Sequence, residues 1–253
     1  NMNLKTLLLL ICIVAFASCK TKTHLYKIEG KQIAISDSLS SDIAIENYIK
    51  PYRDHVNGNL DSVLAYSVGT YSKNDGELNT AIGNLMADIV YKQANPVFKS
   101  RTGRDIDMVL LNHGGIRSII SKGNITSRTA YEIMPFENAI VVAKLPGAQI
   151  KELLEYLAAA KRAHPISQLK LTLDKDYNIE SATLKNKPID FTKTYYVATN
   201  DYLYNGGDHM DFFQKSDTLY VLDYKIRNAL IDYFTETDTI NPVIDDRFVK
   251  KNN

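Results

Sequence analysis

Apolar residues recur at helical spacing in five segments of the chain, and each such segment predicts an amphipathic helix. The predicted helices cover residues 43–56, 80–93, 127–134, 147–162 and 223–234. Pro51 lies inside the first of them and predicts a kink or a break there. Asp223 is placed to cap the last helix.

Apolar or alternating runs between these helices predict strands. The predicted strands cover residues 61–71, 105–111, 139–145, 169–173, 179–184, 195–199 and 218–222, and a weaker pattern at 25–35 predicts a small edge strand or hairpin. Strands and helices are interspersed without strict alternation. The pattern therefore predicts a mixed α+β domain.

The N-terminal segment has the pattern of a secretory signal. Lys5 precedes an almost wholly apolar run over residues 7–17, which is shorter than the roughly 20 residues of a spanning helix. Small residues directly before Cys19 resemble a bacterial lipoprotein signal, in which this cysteine becomes the lipidated first residue. An ordinary cleaved signal and an uncleaved anchor are the alternatives.

These features predict a lipid-anchored protein of the bacterial cell envelope, on the periplasmic side or at the cell surface. The predicted divisions are a signal peptide at 1–18, a lipidated tether at 19–40 and the main domain at 41–250.

Charge and cysteine content exclude several classes of function. The 30 basic and 29 acidic residues nearly balance, and the basic residues are scattered, so we expect no nucleic-acid partner. Of the two cysteines, Cys12 lies in the predicted signal and Cys19 is the predicted lipid site. The remaining chain has no cysteine for a disulfide, a thiolate metal ligand or a nucleophile.

The segment after the strand at 195–199 combines aromatic rings with glycines and a carboxylate. Tyr202 is followed by Gly206 and Gly207, which break regular structure, and then by Asp208. An aromatic face beside a carboxylate suits a flat heterocycle attached to a polyol, such as a nucleoside. A glycine hairpin with half-buried tyrosines explains the same pattern without a ligand.

A second candidate segment, residues 112–117, follows the strand at 105–111. Gly114 and Gly115 allow a ligand to approach the backbone closely, and Arg117 offers a planar fork of donors for a carboxylate, a phosphate or ribose oxygens. The alternative is a strand-to-loop turn with a solvated arginine.

Four segments in this order resemble the C-terminal domain of the 5'-nucleotidase family, which includes bacterial UDP-sugar hydrolases and ecto-5'-nucleotidase. They are residues 82–88, 112–117, 134–138 and 200–208. The resemblance covers about residues 40 to 250 and implies the mixed-sheet fold of that domain, which binds the nucleoside part of the substrate.

The resemblance also assigns roles by position. It implies that Phe136 and Tyr202 sandwich the base and that Asp208 binds the ribose. The other substrate-binding positions that it implies are Arg117, Asn112, Gly114, Gly115, Gly206 and Gly207.

The sequence departs from the family pattern at three places. No arginine occurs at residues 76–81, where family members often have one that reaches the substrate, and this favours neutral nucleosides over charged nucleotides. Tyr202 replaces the more usual phenylalanine and adds a hydroxyl. His209 replaces the glycine that usually follows the aspartate, so we expect a differently shaped loop.

The family's chemistry is performed by an N-terminal metallophosphatase domain with two metal ions, and none of its motifs occurs here. The five histidines lack metal-site spacing, although two of them flank the predicted pocket. They are His24, His55, His113, His164 and His209, of which His113 and His209 are the flanking pair. We therefore predict no catalytic residue, no metal ligand and no cofactor on this chain, with divalent metals on a separate metallophosphatase partner.

The resulting hypothesis is the nucleoside- or nucleotide-binding subunit of a split 5'-nucleotidase that acts in nucleotide catabolism. One alternative is a stand-alone lipoprotein that binds nucleosides or nucleotide sugars and has no catalytic role. A degenerate remnant that no longer binds a ligand is the other.

Overall fold

The computed structural model describes residues 3–4 and 24–251, so Cys19 and most of the predicted signal peptide lie outside the described residues. The chain divides into two units between Ile49 and Lys50. In the first unit, the predicted edge strand or hairpin at 25–35 is wrong, because this segment forms no regular structure and its apolar side chains are exposed.

The helices of the described chain, labelled in chain order, begin and end as follows: α1 Ile43–Leu60, α2 Ala81–Thr102, α3 Ser127–Ile133, α4 Gly147–Ala160, α5 Asp201–Tyr204 and α6 Ile226–Thr235. Short 3-10 turns lie at His113–Gly115, Gly207–His209 and Asp211–Lys215. None of the helices in the described ranges combines the length and the hydrophobicity that crossing a membrane requires.

The strands of the described chain are β1 Val63–Ser67, β2 Met108–Leu110, β3 Gly123–Thr126, β4 Ala139–Pro146, β5 Ile166–Ser167, β6 Leu169–Leu173, β7 Ile179–Leu184, β8 Lys187–Pro188, β9 Thr194–Asn200, β10 Thr218–Lys225, β11 Thr239–Ile240 and β12 Phe248–Lys250. They form sheets of order β10-β4-β9-β2-β5, β11-β1-β3 and β12-β6-β7-β8. Each sheet combines parallel and antiparallel pairs, which confirms the predicted mixed α+β architecture.

The central strands of the five-stranded sheet are buried on both faces, and successive side chains along each strand point to opposite faces. In β4, Ile140 and Val142 belong to the core shared with α2 and α6, whereas Ala143 and Leu145 belong to the core shared with α4. The apolar positions predicted for the second and fourth helices are buried in these two cores.

The predicted ends of two helices and the predicted cap of the last helix are wrong. Helix α2 continues past the predicted end through Pro96 because its buried side chains offset the cost of an internal proline, whereas α1 continues past Gly58 to Leu60 although none of its residues is buried. Asp223 does not cap the last helix. It lies inside β10 at a shift of the pairing register with β4, with a left-handed φ of 54°, and Lys225 precedes α6 instead.

The topology brings the candidate segments to one edge of the five-stranded sheet. Strands β2 and β9 are parallel neighbours, so the segments that follow their carboxyl ends leave the sheet at the same edge. Strand β4 is antiparallel to β9, with Ile140 opposite Asn200, so the segment before β4 reaches that edge too. Residues 112–117, 134–138 and 200–208 therefore converge.

An arginine near the C-terminus ties the tail to the rest of the second unit. Both terminal nitrogens of Arg247 donate to the Asp88 carboxylate on α2 at 2.9 Å, and Arg247 also pairs with Asp245 at 2.7 Å. One of these nitrogens donates as well to the Ile166 carbonyl on β5 at 2.8 Å. This network connects the tail to a helix and a strand.

We expect Arg247→Ala to lower the free energy of unfolding by about 2–3 kcal/mol, because two carboxylates lose their partner. The loss stays below that of a fully buried pair because both carboxylates reach solvent. Urea unfolding measures it. Lys251→Ala, which breaks an exposed pair with Glu180, serves as the control and should change stability by less than about 1 kcal/mol. Equal losses in the two variants would contradict the assigned role.

Candidate functional site

A cavity of about 320 Å³ lies where the three segments converge. Its walls consist of Asn112, Gly114, Gly115, Arg117, Phe136, Asn138, Tyr202 and Asp208. Every one of these residues except Asn138 is a site residue predicted from sequence. The volume falls within the range of small-molecule pockets in proteins.

Asp208 connects the walls of the cavity through its hydrogen bonds. The Asn112 side-chain amide donates to one carboxylate oxygen at 2.8 Å, and the Tyr202 hydroxyl donates to the other at 2.9 Å. The Tyr156 hydroxyl, from α4, donates to the Asp208 carbonyl at 2.8 Å. The loop after β2 and the loop after β9 are therefore joined at one carboxylate.

The Asp208 carboxylate retains acceptor capacity after these contacts. A carboxylate offers about four lone-pair sites, and two are used here. The remaining sites suit a pair of adjacent hydroxyl groups, such as those of a ribose. Hydrogen bonding to Asp208 raises the pKa of the Tyr202 hydroxyl above its usual range, so this hydroxyl stays a donor at neutral pH.

The glycines of this loop bring Tyr202 and Asp208 together. Gly206 has a φ of 88°, which side chains other than glycine rarely adopt. A Cβ on Gly207 would lie 2.5 Å from the Tyr202 ring, so only glycine allows the ring to pack against the backbone there. Neither glycine lines the cavity, and both shape the loop that carries its wall.

Two aromatic residues in the cavity wall are partly exposed to solvent. Phe136 is 41% exposed and Tyr202 is 47% exposed. They come from segments that precede β4 and follow β9, so the cavity collects rings from two distant parts of the sequence. Exposed rings in a concave site are typical of surfaces that stack on a planar ligand.

Arg117 supplies a positive charge at the cavity. Its guanidinium lies 5.7 Å from the centre of the Phe136 ring and donates weakly to the Gly114 carbonyl at 3.4 Å. Within residues 24–251, no carboxylate forms a salt bridge with it. The group is therefore available to a ligand's oxygens.

Comparison with known proteins decides the family. The profile of the family described as 5'-nucleotidase, C-terminal domain matches residues 58–215, which is more than half of the chain. The chain belongs to this family. The resemblance inferred from the four motifs is thereby confirmed.

Similar proteins match this domain over part of their own length. A cell wall protein of Listeria monocytogenes, Lmo0130, is 28% identical over 72% of this chain and 28% of its own length. The trifunctional nucleotide phosphoesterase protein YfkN of Bacillus subtilis is 30% identical over 58% of this chain and 11% of its own. This chain thus matches well under half of each relative.

A solved structure shows the same fold. The 5'-nucleotidase precursor from Thermus thermophilus superposes with a TM-score of 0.68 at 24% identity, over 84% of this chain and 44% of that one. The mixed-sheet architecture expected for a 5'-nucleotidase C-terminal domain is therefore present.

Two histidines of this 5'-nucleotidase domain, His113 and His164, contact each other and the neighbouring backbone. The His113 backbone N–H donates to His164 Nδ1 at 3.4 Å, and the His113 ring contacts the Ala163 carbonyl at 3.3 Å. His209 adopts a left-handed φ of 60° beside Asp208 and does not line the cavity. Among the described residues, no group of three or more His, Cys, Asp or Glu side chains is placed to hold a metal ion.

Sequence reasoning did not single out the residues that support the site. Asn138 lies within a recognised motif, so its position was a usable signal. The hydrogen-bond partners of Tyr156 and His164 lie about 50 positions away in the chain, so no local sequence pattern predicts these contacts. Asn200 caps α5 by accepting a hydrogen bond from the Leu203 N–H at 2.8 Å.

Burial holds His164 in its neutral form. The pKa of His164 falls from 6.5 to about 4, mainly because burial desolvates the ring; the charge of Asp208 opposes this shift, and His113 and Arg162 contribute to it. The neutral ring is what allows Nδ1 to accept from the His113 N–H. A neutral His164 therefore supports the turn at residues 113–115.

We expect the stability of the domain to fall as the pH decreases from about 6.5 to about 4, because the unfolded chain binds a proton on His164 in this window and the folded chain does not. The contribution is at most about 3 kcal/mol. His164→Asn keeps an acceptor without titrating, so its stability profile should be flatter over this window. Denaturant unfolding across the pH range measures both proteins, and parallel profiles would contradict the prediction.

Proposed function

We propose that the cavity binds the nucleoside part of a nucleotide. The observation that carries this proposal is the convergence of Phe136, Tyr202, Asp208 and Arg117 on one small cavity, although they come from three separate segments. The two rings stack on the base, and the free acceptor sites of Asp208 receive the ribose hydroxyls. Asn112 holds that carboxylate in place.

In this proposal the chain recognises nucleosides without needing the phosphate. Among the described residues, Arg117 is the one cationic side chain in the cavity wall, and residues 76–81 contain no arginine. If Arg117 binds the ribose oxygens, a phosphate at the mouth of the cavity gains little from this chain. Its contacts would come from metal ions on a catalytic partner.

The favoured biological role is the specificity subunit of a split 5'-nucleotidase in nucleotide catabolism. The separate metallophosphatase chain would bring two divalent metal ions, which activate a water molecule and polarise the phosphoryl group. The cavity would then lie at the shared interface, as ligand sites between domains often do. The similarity to a part of larger proteins, one of them called a nucleotide phosphoesterase, supports this role.

The proposed location is the bacterial cell envelope. A lipid on Cys19 would anchor the chain after removal of residues 1–18, and residues 19–40 would link the anchor to the domain at 41–250. The relative from Listeria monocytogenes is called a cell wall protein, which supports an envelope location.

The second candidate is a stand-alone lipoprotein that binds nucleosides or nucleotide sugars. The absence of arginine at residues 76–81 favours it, since a carrier of neutral nucleosides needs no phosphate contact. Tight binding of adenosine without a partner supports this role, while metal-dependent hydrolysis in a complex supports the first.

We expect Tyr202→Ala and Phe136→Ala each to weaken adenosine binding about 5- to 150-fold, because each removes about 1–3 kcal/mol of base stacking. Calorimetric titration of the full chain measures the Kd. Phe191→Ala removes a ring of similar exposure outside the cavity and should leave the Kd unchanged. Tyr202→Phe keeps the stacking face and should retain affinity within a few-fold.

Equal losses in Phe191→Ala and Phe136→Ala would contradict stacking at this site. No binding of adenosine, AMP or UDP-glucose by the full chain would favour a partner-dependent site or the degenerate remnant. Adenosine and AMP of similar affinity would support the view that this chain does not read the phosphate.

We expect the full chain alone to show no hydrolysis of AMP with added Mn²⁺, since its described residues contain no dimetal cluster. The complex captured through this chain from its source cells should hydrolyse AMP and lose that activity on chelation. The same capture with the Tyr202→Ala chain should raise the KM for AMP. A captured fraction without activity would count against the split enzyme.

A further inference from the structure

A buried arginine behind the cavity has contacts that the proposed function does not use. Arg227 lies in the first turn of α6 and is 5% exposed. It does not line the cavity. An arginine is rarely buried to this extent unless its donors are engaged by specific acceptors.

Those acceptors lie in three consecutive residues of the Phe136 loop. One terminal nitrogen of Arg227 contacts the Pro135 carbonyl at 3.3 Å and the Phe136 carbonyl at 3.5 Å. The other donates to the Glu137 carboxylate, which Lys225 also pairs with. In addition, the Ile226 N–H donates to the Asn138 carbonyl at 3.1 Å. The N-terminal end of α6 therefore binds every residue of the loop from residue 135 to residue 138.

An aromatic ring also packs against the Arg227 guanidinium. The guanidinium lies over the ring of Tyr131 on α3, 4.1 Å from the ring centre. The Arg117 guanidinium lies 5.7 Å from the centre of the Phe136 ring, and the Arg117 backbone N–H donates to the Ile133 carbonyl at 2.9 Å. The Phe136 backbone is thus fixed from within the protein, while its ring faces the cavity.

The burial of Arg227 carries a free-energy cost. The Nε of Arg227 is buried and finds no acceptor among the described residues, which is unfavourable. Arg227 and Lys225 lower the pKa of Glu137 to about 2, so this carboxylate stays charged at neutral pH. The donors of Arg227 are concentrated on the loop.

We propose that Arg227 is a positioning residue that fixes the orientation of Phe136 for stacking on the base. This inference rests on the proposed nucleoside site. Lysine cannot replace the arginine, because a single ammonium lacks the planar fork that reaches two carbonyls and a carboxylate together. The specificity of the cavity therefore depends on a residue that never touches the ligand.

The test compares Arg227→Lys with Arg247→Lys, a matched change in the other arginine network, which lies away from the cavity. Hydrogen exchange is measured in the free full chain at the backbone amides of the loop, which are those of residues 134 and 136–138 because Pro135 has no amide hydrogen. The Kd for adenosine is measured for both variants and again in a Phe136→Ala background.

The expected result is faster exchange at residues 134–138 and about 3- to 10-fold weaker adenosine binding in Arg227→Lys only. In the Phe136→Ala background the effect of Arg227→Lys on the Kd should vanish, because the positioned ring is absent. A merely destabilising role would weaken binding equally in both backgrounds and would overturn the proposal, as would unchanged exchange at residues 134–138.

The test still gives an answer if the variant does not fold or if the unsubstituted chain does not bind adenosine. If Arg227→Lys does not fold, Glu137→Gln removes the same ion pair from its exposed side, and unchanged exchange at residues 134–138 in that variant would overturn the proposal. If the unsubstituted chain binds no adenosine, the proposed function fails, whereas the exchange measurement still decides whether Arg227 fixes the loop.

Discussion

The parallel pairing of β2 with β9 is the constraint on which the candidate site depends. It places the loops after Leu110 and after Asn200 at one edge of the sheet, although about 90 residues separate them in the chain. The antiparallel pairing of β4 then delivers Phe136 to the same edge. The central strands of this sheet are buried on both faces, so they provide a rigid base for loops that must keep a ligand-sized gap.

Hydrogen bonds to Asp208 fix the positions of these loops relative to each other. The Asp208 carboxylate receives donors from the loop after β2 and from Tyr202, while its backbone is held by α4 through Tyr156. A second set of contacts, from α6, holds the loop that carries Phe136. The cavity thus has two walls, each stabilised by a helix that contributes nothing to its surface.

The motifs and the periodic helices could be predicted from sequence because their signals are local. Residues 112–117 and 200–208 carry glycines, aromatics and charges at adjacent positions, and α2 and α4 carry regular apolar spacing. The short strands β5, β8, β11 and β12 could not be predicted, since two or three residues show no period and form only by pairing with distant partners. For the same reason the contacts of Tyr156 and Arg227 could not be predicted, since their partners lie 52 and about 90 residues away in the chain. The register shift at Asp223 likewise arises from pairing with β4.

The central claim is that the two exposed rings enclose a nucleobase. The most direct measurement is the proton NMR spectrum of adenosine titrated with the full chain, because aromatic rings shift the protons that lie over their faces. We expect the base protons H2 and H8 to move upfield on binding and the ribose protons to move less. Shifts confined to the ribose, or no change in the base protons at saturating protein, would contradict it.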